Sequence, residues 1–190
     1  MSAPTVRFRA IPISTAGTAI DTPAERIGVI SGSSVVSTGV GNELDFGTVD
    51  ISGGAANSAV KQLVIDFTAD GGNTLVDTFK FWLSSNGWDQ AGTVLKMMAI
   101  QGSDGTPSLT EEYIQNATTA SYTFSTAPET EPSQNLYPSD EGTSMALSTT
   151  SDDALLVALY VAVASSETTG TYKGTTSGFE FQHSFKYSYS

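Results

Sequence analysis

The chain has no cysteine and only one histidine. Without cysteine there are no disulfides, thiolate zinc sites, iron–sulfur clusters or cysteine nucleophiles, although the compartment stays open. Positive charge is also scarce. Eight Lys+Arg stand against 20 Asp+Glu, a formal net charge of -12 over 190 residues. Such a surface repels phosphate backbones, so nucleic acid is not an expected partner. Charged residues make up only 15%, against about 25% in an average domain, and Ser and Thr fill about a quarter of the chain. Long apolar runs are missing too. The strongest, residues 154–164, has eleven residues, and a membrane helix needs about 18. No membrane association is expected, and the first thirty residues hold no signal-peptide apolar region.

Catalytic equipment is equally thin. His183 is the sole imidazole, and no Gly-x-Ser-x-Gly elbow stands ready to use it. No Walker loop and no Gly-x-Gly-x-x-Gly motif appears, so nucleotide cofactors lack support. With 20 acids, a glycosidase carboxylate pair cannot be singled out. The expectation is a non-enzyme without a cofactor. Calcium stays open, because it needs only oxygens; Asp70 with Asn73, Asp140 with Glu141, and Asp152 with Asp153 are oxygen sets. None has EF-hand spacing, and each reads more simply as a turn or a solvated acidic edge.

What is present is period two. Val6, Phe8 and Ala10 alternate with Arg7 and Arg9, the pattern of a half-buried strand. Weaker strands are predicted over 27–36 and from Leu44 through Phe46 to Val49. Residues 60–67 form the next, closed by the turn signal Asp70-Gly71-Gly72-Asn73. Residues 76–83 follow, with one of Trp82 and Leu83 facing the core, and Asn86-Gly87 supplies the positive φ a tight turn wants. Residues 94–100 end at Ser103-Asp104-Gly105. A short helix is predicted near 108–117, because Ser108 and Glu111 have capping-box spacing. Residues 154–164, apolar on both faces, read as a central strand. At the end, Phe179, Phe181, His183, Phe185, Tyr187 and Tyr189 alternate with polar residues, an aromatic-faced strand.

Two segments stand apart. Residues 127–142 carry Pro128, Pro132 and Pro138 with Glu129, Glu131, Asp140 and Glu141, the composition of a long solvated loop. Residues 14–26 are small and polar. They divide the chain into an N-terminal strand and arm, 1–26, and a main domain, 27–190. The arm either adds to a partner's sheet or pairs within its own domain. Strand spacing without alternating helical patterns gives an all-β fold, an antiparallel sandwich of Ig-like or jelly-roll-like type.

The opening Leu44-Asp45-Phe46-Gly47-Thr48-Val49 followed by Lys61-Gln62-Leu63-Val64-Ile65 resembles Ig-like and jelly-roll-like modules. The ending, Leu159-Tyr160-Val161-Ala162-Val163 with Gly170-Thr171-Tyr172 and the aromatic strand, is similar to β-sandwich proteins of tailed-bacteriophage virions, of the capsid decoration (cement) or fibre type. The resemblance implies a non-enzymatic structural protein of the virion. Its partners would be the major capsid protein or other virion subunits, together with dimeric or trimeric self-association. Arg7 and Arg9, the local exception to the acidic surface, are candidate partner contacts. The alternative is a carbohydrate- or receptor-binding fibre module, in which Trp88 would anchor a glycan; a third is a strand-exchanging filament subunit.

Overall fold

A computed structural model of the chain describes residues 1–11, 34–35, 46–88, 90–104, 124–133, 135–136, 144–147, 153–170 and 182–190. Ten strands run through them: β1 (Thr5–Ile11), β2 (Ser34–Val35), β3 (Ala56–Asn57), β4 (Lys61–Ala69), β5 (Leu75–Ser85), β6 (Val94–Asp104), β7 (Ser125–Thr126), β8 (Ser144–Ala146), β9 (Asp153–Val163) and β10 (Gln182–Tyr189). The described residues contain no helix, and the helix expected near 108–117 lies outside them. The fold is all-β, and every strand pairing is antiparallel.

The larger sheet has the order β2-β1-β4-β9-β6-β7, with β3 also on β9; the smaller has the order β10-β5-β8. β9 is the apolar run of the sequence. It sits centrally, paired with β4 on one side and β6 on the other, which is why both of its faces carry apolar residues. Inner side chains of the two sheets share one core: Leu63, Ile65, Phe67, Leu95 and Leu155 from the larger, Val76, Phe79, Phe81 and Leu83 from the smaller. The aromatic strand closes this core. Phe8 meets Phe185 edge-on at 5.9 Å, and Phe67 meets Tyr187 edge-on at 5.3 Å. Buried polar atoms are tied in. Ser58 Oγ accepts the Val161 N–H at 2.9 Å and Thr93 Oγ1 accepts the Ala164 N–H at 2.9 Å.

Burial in β5 explains a break in its alternation. Val76 is buried, and so are Phe79, Phe81 and Leu83, which puts the first out of step with the rest. The register steps from Lys186↔Lys80 to Ser188↔Asp77, so the extra residue belongs to β5 and forms a β-bulge. Thr78 absorbs it at φ 54°, a left-handed conformation that β-branched residues rarely adopt. Thr78→Gly removes that steric cost, at the expense of greater chain entropy in the unfolded state. The expected gain is about 0.5–1 kcal/mol, read as a rise of about 1–4 °C in melting temperature. A fall would show that the side chain is not strained.

Several local expectations change. Residues 46–50 form no strand. Phe46 packs on the core, but Gly47 at φ 75° turns the chain away. Gly87 is not among the positive-φ glycines, because the chain crosses here from one sheet to the other instead of folding back in a hairpin. The turn forms four residues later: the Thr93 N–H reaches the Gln90 C=O at 3.2 Å, with Gly92 at φ 96° in the third position, as a type II turn requires. Asp70-Gly71-Gly72-Asn73 does form its turn, with φ 65° and 84° at the two glycines, the signs of type I′. A Cβ on Gly71 would collide with the Ser2 carbonyl. Of the arm expected over 1–26, residues 5–11 are β1, paired with β4 along their length; residues 12–26 lie outside the described residues.

Candidate docking edge

The smaller sheet leaves one long strand at its margin. β10 pairs with β5, and no other described strand flanks it. Hydrogen bonding fixes which backbone groups point outward. Ser190 and Leu75 exchange two bonds of 3.1 Å each. In an antiparallel ladder the next residue therefore directs its N–H and C=O the other way. That residue is Tyr189. Because the bulge lies on β5, the alternation continues along β10 to Tyr187 and Phe185. No bond between described residues reaches these three from the open side.

The opposite margin of β5 is closed. β8 covers Leu75–Asp77. Beyond it the proline-rich segment takes over: the Leu83 N–H donates to the Pro128 C=O at 2.8 Å, the Leu136 N–H to the Phe79 C=O at 2.7 Å, and the Phe79 N–H to Asn135 Oδ1 at 3.0 Å. The segment expected to be a solvated excursion over 127–142 is thus tied to β5 at Pro128, Asn135 and Leu136 and to β6 through the Ala127 N–H on the Leu95 C=O, with residues 129–131 between them exposed. Its acid is used on the outer face. Lys80 and Lys186 stand directly opposite each other, and Glu131 Oε1 accepts from both, at 3.0 and 2.9 Å. Those two hydrogen bonds pull the Glu131 carboxyl below its ordinary value.

His183 lies on the inner side of the same strand. Its ring stacks on Phe81 at 5.1 Å and meets Phe8 edge-on at 5.1 Å. Burial lowers its pKa below the ordinary 6.5. The unfolded chain therefore binds the proton more readily, and stability present above pH 6.5 falls as the pH drops through the folded-state value. His183→Phe keeps an aromatic ring and removes this titration. Its melting temperature is expected to change less between pH 7.5 and 5.5 than that of the parent chain; equal slopes would exclude the histidine as the cause.

The other candidates separate widely. Arg7 is half-buried on β1 with Asp66 as its register partner, and the Arg9 backbone pairs with Val64 and Val35. Trp88 is half-buried and packed on the core, with its backbone N–H donating to Asn86 Oδ1 at 3.1 Å. It caps the end of the core, so Trp88→Ala is expected to cost about 2 kcal/mol, less than a fully buried Trp would, and to lower the melting temperature; an unchanged melt would free the ring for ligand. In the Asp70–Asn73 oxygen set, Asp70 Oδ1 accepts the Gly72 N–H at 3.0 Å and Asn73 Nδ2 donates to the Ser2 and Asp70 carbonyls at 2.7 Å each. These groups close the turn. Asp140, Glu141 and Asp152 lie outside the described residues, as does the side chain of Asp153. Among the described residues no three His, Cys, Asp or Glu side chains cluster to hold a metal. The place of the aromatic strand in the sheet is what the sequence left open, between its own sheet and a neighbour's; the structure pairs it with β5. The aromatic alternation identified the strand, but not that one of its margins has no described strand beside it.

No family model, no curated protein and no solved structure matches this chain.

Proposed function

We propose that the two sheets form a β-sandwich and that the chain is a non-enzymatic structural protein of a tailed-bacteriophage virion, a capsid decoration protein that stabilises the shell through contacts with the major capsid protein and with its own copies. The observation that carries this reading is the open margin of β10 beside an aromatic core. A subunit that clamps neighbours needs a rigid body and a strand edge able to accept another chain. The net charge of -12 supports it, limiting non-specific aggregation before assembly and complementing a basic lattice surface. Trp88, seated on the core, gives the glycan-binding alternative less to work with.

The test is the protein inventory of purified particles by quantitative mass spectrometry. The chain is expected in fixed ratio to the shell subunit. A few copies per particle would move it to the fibre, and absence would overturn the reading. Release of the chain at raised salt, with the shell intact, would identify the contact as electrostatic.

A further inference from the structure

We propose that β10 is a self-association strand: its free margin pairs antiparallel with β10 of a second copy about a twofold axis, doubling the three-stranded sheet. This deepens the assembly reading above by naming the surface, but it stands on the geometry of the edge.

Three observations choose a second copy as the occupant. The backbone groups of Phe185, Tyr187 and Tyr189 are aimed outward along a regular strand, and the described strands at the other margins, β2, β7 and β8, have two or three residues each. Residues 182–190 hold no acid, although the chain carries 20. Of the described carboxylates on that face, Glu131 is shared between Lys80 and Lys186, and Asp77, the register partner of Ser188 on β5, accepts the Thr78 hydroxyl. Two copies can therefore approach here with less of the repulsion that their net charge imposes elsewhere. Finally, Tyr189 is 47% exposed, the only large aromatic side chain exposed among the described residues. An isologous contact would cover it twice.

Side-chain pairing selects the register. With Tyr187 opposite the second copy's Tyr187, Tyr189 faces the second copy's Phe185 and Lys186 faces its Ser188. The neighbouring register, with Phe185 opposite Tyr187, sets Lys186 directly against its own copy, and like charges so placed are destabilising.

The experiment is light scattering of the purified chain over a tenfold concentration range, with three variants. The parent chain is expected to be a dimer. Tyr189→Pro removes an outward N–H without touching the ladder to β5, a position where an edge strand tolerates proline; it is expected to be monomeric with an unchanged circular dichroism spectrum. Ser188→Glu sets an acid against Lys186 twice per dimer and should tighten association about threefold or more, and Ser188→Lys should weaken it comparably. A parent chain monomeric at every concentration overturns the proposal. So does an oligomer whose mass is unchanged in Tyr189→Pro. Should Tyr189→Pro fail to fold, indifference of the dimer to both Ser188 variants overturns it equally. A trimer that survives Tyr189→Pro would sink this edge and leave the virion reading standing. A Tyr189-dependent dimer absent from particles would do the reverse.

Discussion

Deletion of residues 1–11 is expected to destroy cooperative folding rather than to release a dispensable arm. β1 is bonded to β4 from Thr5 to Ile11, and its loss would turn β4 into an unpaired margin. Val6 and Phe8 are half-buried against the core, so each contributes about half of the roughly 1.5–3 kcal/mol of a fully buried side chain, and the seven-residue ladder to β4 adds its backbone bonds. The Phe8 ring supports both His183 and Phe185. Pro4 C=O accepts the Tyr187 hydroxyl at 2.9 Å, and Ser2 C=O accepts from Asn73. The sum approaches the roughly 5–15 kcal/mol that holds an ordinary domain together. Differential scanning calorimetry checks it. A sharp transition near the parent's melting temperature would show that the rest of the chain folds without β1. An assembly defect in this truncation would consequently say nothing about a docking arm.

Phe79→Ala is expected to cost about 3–5 kcal/mol, with a melting temperature roughly 6–20 °C lower. Phe79 is fully buried. Its ring meets Phe67 of the opposite sheet edge-on at 6.1 Å and stacks on Phe185 of the neighbouring strand at 6.2 Å. One side chain thus joins both sheets and packs on β10. Its backbone also carries the bonds to Asn135 and Leu136, and these remain in the variant. The cavity should therefore appear in stability before it appears in the placement of the proline-rich segment. Chemical denaturation gives the number, and a loss under about 1 kcal/mol would mean that the surrounding rings collapse into the space.

The elements that could be read in advance are those whose signal is local. Alternation placed Val6 and Phe8 on the core side of β1 and marked 154–164 as a strand apolar on both faces, while the choice between Trp82 and Leu83 stayed open until the structure buried Leu83. Asp70-Gly71-Gly72-Asn73 announced its turn because two adjacent glycines supply two positive φ angles at little cost. Asn86-Gly87 carried a similar signal without the turn, since the chain there passes between sheets and Gly92 makes the reversal. The β5 bulge was written in the spacing of Val76 and Phe79, one residue out of phase, and becomes readable only when both are known to face the same core.

Residue order alone was enough to establish that the protein is built of antiparallel strands without cysteine chemistry, and which face of the clearest strands is apolar, because face follows from residue parity over a few positions. Everything that depends on partners distant in the chain came with the fold: that β1 joins β4, that β9 lies between β4 and β6, that Glu131 crosses to two lysines, and that the proline-rich segment closes one margin of β5 while no other described strand flanks β10 on the far side. Strand order rests on backbone bonds that any residue but proline can make, so no side-chain pattern along one segment encodes it.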